Sequence, residues 1–108
     1  MQKSRDSTRK SDFKQIQTGL ELYMSDCGSY PTAQANRLPD PLTSSCTGSP
    51  VTYIQTVPKD PKTNRSYVYI NTSQGGYILA GCLENDNDPD GVDNGTCPSG
   101  KSYGVRNP

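Results

Sequence analysis

Val57-Pro58-Lys59-Asp60-Pro61, followed downstream by Tyr67-Val68-Tyr69-Ile70, divides the chain into two parts of different character. The two prolines forbid regular structure around Lys59-Asp60, because proline lacks an N–H and pushes the residue before it toward extended backbone. Ser66 to Asn71 then reads as a strand, with Tyr67 and Tyr69 on one face and Val68 and Ile70 on the other. Thr72-Ser73-Gln74-Gly75-Gly76 has the composition of a hairpin connection. Tyr77 to Leu83 is a second strand, apolar on both faces, and is expected to be central. Ser102 to Val105 is expected to return as a third, short strand.

Working upstream, Phe13, Ile16, Leu20, Tyr23 and Met24 recur at helical spacing. They form one apolar stripe, which Cys27 continues, and predict a helix over residues 4–27. Gly28 is placed to stop it in a left-handed conformation. Gly19 inside it costs about 1 kcal/mol relative to alanine, so close packing by a strand or a neighbouring subunit is expected there. The first two turns carry neither an apolar stripe nor a capping box. Between Tyr30 and Thr56, Pro31, Pro39, Pro41 and Pro50 exclude long regular elements. This stretch is expected to be a stapled loop, with one short helical turn near Thr32–Leu38 and a short helical or extended segment starting at Tyr53-Ile54 before Val57-Pro58.

The expected architecture is a single α+β domain over residues 1–108. One long N-terminal helix packs on a small antiparallel sheet of about three strands. The remaining divisions are a loop region at 28–64, a hairpin at 65–83, and an acidic, disulfide-bearing loop with a C-terminal strand at 84–108.

With 30% hydrophobic residues, one Phe and no Trp, the core must be small and needs covalent or partner support. Cys27, Cys46, Cys82 and Cys97 are an even set in a short Gly/Pro-rich chain, which favours disulfides and an oxidising compartment. No Cys-x-x-Cys and no His are present, so a zinc site is excluded on spacing and ligand type. Three pairings are possible. Cys27–Cys46 with Cys82–Cys97 is preferred because each bridge closes a local loop, worth about 3 kcal/mol apiece by loop-closure entropy.

Lys+Arg and Asp+Glu both number 11, so no bulk field draws the chain to nucleic acid or anionic lipid. Charge is nonetheless segregated. Arg5, Arg9, Lys10 and Lys14 make the start basic; of these, Arg5, Arg9 and Lys10 are expected to be solvated or to face membrane headgroups rather than phosphates. Glu84, Asp86, Asp88, Asp90 and Asp93 make a late segment acidic. Catalysis is poorly supported, for there is no His to act as general base and no nucleophile elbow. Tyr67, Tyr69 and Tyr77 are expected to pack the sheet. Only Arg65 lies near them, too little base for a single-strand stacking platform. Asn71-Thr72-Ser73 and Asn94-Gly95-Thr96 are formal glycosylation sequons at turns and are assigned no function.

Asp86-Asn87-Asp88-Pro89-Asp90-Gly91 spells D-x-D-x-D-G, with Asp93 close behind. Alternating carboxylates around a glycine turn direct hard oxygens to one centre, which Ca²⁺ requires. The alternative is a solvated acidic turn held by Cys82–Cys97. An EF-hand is not implied, because its twelfth position here is Cys97 and no helix pair flanks the loop.

Three stretches, RKSDFKQIQTGLELYMSDCGSYPT (9–32), VPKDPKTNRSYVYI (57–70) and GGYILAGCLENDNDPDG (75–91), together resemble the soluble domain of type II secretion major pseudopilins and type IV pilins. The resemblance implies that α-helical residues here are the exposed half of a longer helix. Its other half would be an apolar N-terminal stem that anchors the subunit in the inner membrane, then packs in a filament core. Met1 followed by polar Gln2-Lys3-Ser4 is accordingly expected to stand where that stem was removed. The implied partners are further copies of this chain, other pilins and the inner-membrane assembly machinery. The implied location is a periplasmic or cell-surface filament. A calcium loop in the major pseudopilins points at Asp86, Asp88, Asp90 and Asp93. Two departures stand out. Major pseudopilins generally lack such disulfides, whereas pilins often carry a C-terminal Cys-bounded loop. Lys62-Thr63 also replaces the Trp-Gly that often follows Asp-Pro. The rival readings are a small secreted disulfide-rich binding or inhibitor domain acting as a monomer and, further off, a calcium-dependent enzyme.

Overall fold

Helix α1 (Gln2–Cys27) turns the i, i+3, i+4 spacing of its apolar residues into a buried face. Phe13, Ile16 and Leu20 are almost fully buried, and Tyr23 and Met24 pack at the edge of the same cluster. Each of the three is worth about 1.5–3 kcal/mol of burial. The computed structural model describes residues 2–34, 37–61, 67–72, 75–84, 91 and 101–107. Gly28, at φ 76°, ends the helix as expected, and its N–H donates to the Met24 carbonyl at 2.8 Å.

Strands β3 (Val68–Asn71), β4 (Tyr77–Leu83) and β5 (Lys101–Arg106) form an antiparallel sheet in the order β3-β4-β5. The strand predicted to be central is central. Tyr69 lies opposite Leu79 and Leu79 opposite Val105, all on the face toward the helix. Gly81 lets the helix come close: a Cβ there would stand 3.1 Å from both Phe13 Cζ and Tyr67 Cδ1. Phe13 meets Tyr67 edge-on at 4.8 Å between centroids and stacks on Tyr103 at 5.3 Å. Val68 and Ile70 point away from the core, and each remains about two-fifths exposed.

The stretch expected to be loop holds a second, two-stranded sheet, β1 (Leu42–Ser44) with β2 (Val51–Ile54). Leu42 is fully buried against the helix side of the core. A Cβ on Gly19 would stand 2.6 Å from two side-chain carbons of Ile54, so strand β2 is what requires glycine in the helix. Short β-branched pairs such as Thr43 opposite Thr52 escape periodicity analysis because three or four residues carry too little pattern. Near Thr32–Leu38, where a helical turn was expected, Gln34 and Arg37 instead exchange backbone hydrogen bonds as an isolated antiparallel bridge.

Hydroxyls of the sheet and loop tyrosines climb the helix. Tyr67 donates to Asp12 at 2.9 Å, Tyr30 to Glu21 at 2.8 Å and Tyr53 to Asp26 at 2.5 Å. Gln17 donates to the Tyr77 hydroxyl at 3.2 Å. Each ring thus buries its body in the core and satisfies its polar tip on α1.

Candidate functional site

Glu84 directly follows the last residue of β4 and opens the acidic segment. Its carboxylate was grouped by sequence with Asp86, Asp88, Asp90 and Asp93, but its partners are on the helix. Arg5 grips both of its oxygens with one edge of the guanidinium, Nε to Oε2 at 2.6 Å and Nη2 to Oε1 at 2.8 Å. Arg9 Nη1 adds a bond to Oε2 at 2.8 Å. The hydrogen bond from Arg5, then that from Arg9, hold the Glu84 carboxyl far below the usual carboxylate range, although burial acts the other way. The Glu84 N–H donates to Asp6 Oδ1 at 2.9 Å, so the backbone here is fixed as well as the side chain.

Arg9 is the hub of this cluster and only 1% exposed. Its far edge is bidentate on Asp60 of the Pro-Lys-Asp-Pro turn, Nε to Oδ2 at 3.0 Å and Nη2 to Oδ1 at 2.9 Å. Nη1 also reaches Asp6 Oδ1 at 2.6 Å. Burial alone would lower the Arg9 pKa, but bonds to Asp60, Glu84 and Asp6 outweigh it and hold the guanidinium charged. The expectation that Arg5 and Arg9 are solvated or face headgroups is therefore corrected: Arg9 is interior and Arg5 closes over it, one-third exposed. The reason is geometric. Asp6 and Arg9 continue the Phe13–Ile16–Leu20 face by one further helical step each, so they enter the protein with it. That continuation was the available signal, hidden because the stripe was sought among apolar residues only. Asp60 likewise carried no sign of its partner, which lies 51 positions away.

Asp86, Asp88, Asp90, Asp93 and Cys97 lie outside the described residues. Among the described residues, no group of three or more His, Cys, Asp or Glu is placed to hold a metal ion. Cys27 and Cys46 form a disulfide that ties the helix end to the turn between β1 and β2. Cys82 is also disulfide-bonded. Asn71 of the first sequon spends its amide on the Tyr30 and Pro31 carbonyls, at 3.1 and 2.9 Å, so it serves the fold. Among the described residues, no helix is long and apolar enough to cross a membrane.

The molecule therefore has a helix whose inner face is shared, charged turns included, between the three-stranded sheet, the β1–β2 hairpin and the Pro-Lys-Asp-Pro turn. A family model described as type II secretion system (T2SS), protein G matches residues 1–97. The chain belongs to the type II secretion system protein G family. No curated protein and no solved structure matched it. Membership gives this chain the general role of a pseudopilin in type II secretion, a structural rather than a catalytic group, associated with filaments of pseudopilins. The Pro-Lys-Asp-Pro turn has a physical use in this pseudopilin: its Asp60 neutralises the buried Arg9.

Proposed function

We propose that this chain is the water-soluble head of a filament subunit and acts by polymerising. The observation that supports the reading is the family match along residues 1–97, taken with a helix that leads the chain and is bound to its sheet along one face. In this reading an apolar stem precedes α1 in the natural chain, about 20 residues long so as to span a bilayer before assembly. The stem drives packing of copies in the filament core. The head decorates the outside, with lateral contacts from the loops at Cys27–Cys46 and Cys82–Cys97. Other pseudopilins and the inner-membrane assembly machinery are its partners.

The test is to express the open reading frame together with the type II secretion assembly genes and inspect sheared surface material by electron microscopy. Filaments containing this chain are expected. A chain released as a monomer behind an ordinary cleaved signal peptide would instead establish the small secreted module.

Calcium is the second part of the proposal. Asp86, Asp88, Asp90 and Asp93 offer hard carboxylate oxygens, the donor chemistry calcium takes. Glu84 is left out of that set because its oxygens are held by Arg5 and Arg9. The cation supplies relief of mutual carboxylate repulsion and orders the segment. Melting in saturating calcium and in chelator tests it: the calcium sample is expected to melt higher, since binding to the native state adds stability. Identical curves would remove the site.

A further inference from the structure

Among the described residues, the two edges of the helix–sheet unit carry charge of opposite sign. On the β5 edge, Lys10 Nζ stands over the Tyr103 ring, 6.0 Å from its centroid, and Gln17 donates to the Arg106 carbonyl at 3.3 Å. Lys14 lies between Lys10 and Gln17 on this side of the helix, and both Lys14 and Arg106 are exposed. On the β3 edge, Asp12 accepts from Tyr67, the residue before β3, and Asp26 accepts from Tyr53 of β2. Lys14 and Asp12 are two positions apart, about 200° around a helix, so the two sets look in opposite directions. Strand order separates them too, because β4 lies between β3 and β5. Glu21 falls on the Lys14 side about two turns further along, partly buried beneath the Tyr30 hydroxyl. We propose that these flanks dock on one another between copies, the Lys14–Arg106 flank of one head against the Asp12–Asp26 flank of the next. The proposal rests on the filament reading above and adds to it which sides of the head meet.

Charge supplies the direction of the contact. Like flanks repel and unlike flanks attract, so each copy offers one flank to each of two neighbours. Such a heterologous contact builds rings or open filaments, whereas a self-complementary patch stops at a pair. A formal net charge of zero leaves no overall repulsion between copies to oppose it. The tyrosine hydroxyls hold Asp12 and Asp26 in fixed positions, at 2.9 and 2.5 Å, so less freedom is lost when a cation approaches them. The acidic flank also offers apolar area. Val68 and Ile70 of edge strand β3 are 38% and 41% exposed, the most open large apolar side chains of the described sheet. Covering them adds attraction that carries no direction of its own, and the charges fix the orientation.

The test is zero-length carbodiimide coupling of the 108-residue chain at high protein concentration. Isotope-labelled copies are mixed with unlabelled ones, so that mass spectrometry reads only links between molecules. Links from Lys10 or Lys14 to Asp12 or Asp26 are expected in about 0.01 M salt. They are expected to disappear in about 1 M salt, where the screening length falls from about 30 Å to about 3 Å. Two variants test the direction. Lys14→Glu/Arg106→Glu makes both flanks acidic. Asp12→Asn/Asp26→Lys makes both basic, and the change at Asp12 keeps an oxygen for the Tyr67 hydroxyl. Circular dichroism verifies their fold, and the wild-type link map and its salt dependence decide the matter without them. Each variant alone is expected to lose the links, and an equimolar mixture of the two is expected to regain them. Links scattered over other carboxylates, links unchanged in 1 M salt, or a mixture no better than either variant would overturn the contact. Filaments built as before by Lys14→Glu/Arg106→Glu in the microscopy test would also overturn it, while leaving polymerisation standing. Flank-to-flank links in solution without wild-type filaments would support the contact and sink the polymerisation reading.

Discussion

Arg9 is the residue on which most of the unusual chemistry turns. Its guanidinium is buried among Asp6, Asp60 and Glu84, each within hydrogen-bond distance. Replacing it with Met keeps the volume and removes the charge, leaving three carboxylates with too little to neutralise them. Loss of one partner from a buried ionic group costs about 3–5 kcal/mol, and Arg9→Met is expected to lose that much in urea unfolding followed by circular dichroism. A loss under about 1 kcal/mol would mean that water reaches the cluster. Glu84 adds a pH dependence whose sign is fixed. Its carboxyl is depressed in the folded protein, chiefly by Arg5 and then Arg9 against burial. Its contribution is therefore complete above the unfolded carboxylate range, near pH 4–5, and is lost as the pH falls further. Acid unfolding of the wild type should show this limb, and Glu84→Gln should flatten it.

At the scale of elements, the helix and the sheet meet through rings with wet tips. Asp12, Gln17, Glu21 and Asp26 each engage a tyrosine hydroxyl, one such bond every four or five residues from the middle of α1 to its end. This explains how a chain with a single Phe and no Trp builds a core: tyrosine supplies the apolar area, and the helix supplies partners for its oxygens. It also gives the interface an alkaline limit. Burial, then the hydrogen bond to Glu21, pushes the Tyr30 hydroxyl up to about 12. The unfolded chain ionises the same group near pH 10, so folding stability holds below that value and is lost as the pH rises toward 12. Spectrophotometric titration at 295 nm should show delayed ionisation in the native state. Tyr30→Phe should shift the alkaline unfolding midpoint upward while costing about 1 kcal/mol at neutral pH.

For the whole molecule, the 46 × 27 × 22 Å envelope reflects a helix longer than the sheet it serves. The β1–β2 hairpin occupies the far end, where Leu42 and Ile54 cover the helix beyond the reach of the three-stranded sheet. The Cys27–Cys46 bridge closes this end over a separation of 19 residues. Loop-closure entropy assigns such a bridge about 3 kcal/mol. The double variant Cys27→Ser/Cys46→Ser is therefore expected to melt more than about 10 °C below the wild type, since 1 kcal/mol is worth several degrees at this size. A shift under about 2 °C in scanning calorimetry would show that Leu42, Ile54 and Tyr53 hold the hairpin without it.

The elements legible along the chain were those governed by local repetition. The period of Phe13, Ile16 and Leu20 specified a helix and its buried side. The alternation of Tyr67-Val68-Tyr69-Ile70 specified a strand and its faces, and the apolar run from Tyr77 to Leu83 specified the middle of the sheet. Gly28 marked the helix end because only a residue without a side chain adopts that backbone cheaply. Family likeness, too, was legible in the order of three stretches. Which charges face solvent and which lie inside followed from the packed fold alone. Nothing along the chain links Arg9, Asp60 and Glu84, and they become one cluster because the helix, the turn and the residue after β4 converge on a point. The β1–β2 hairpin and the tyrosine–helix bonds belong to the same class. Local pattern follows from backbone geometry and can be read along the chain, whereas the pairing of distant polar groups depends on where folding has already brought them.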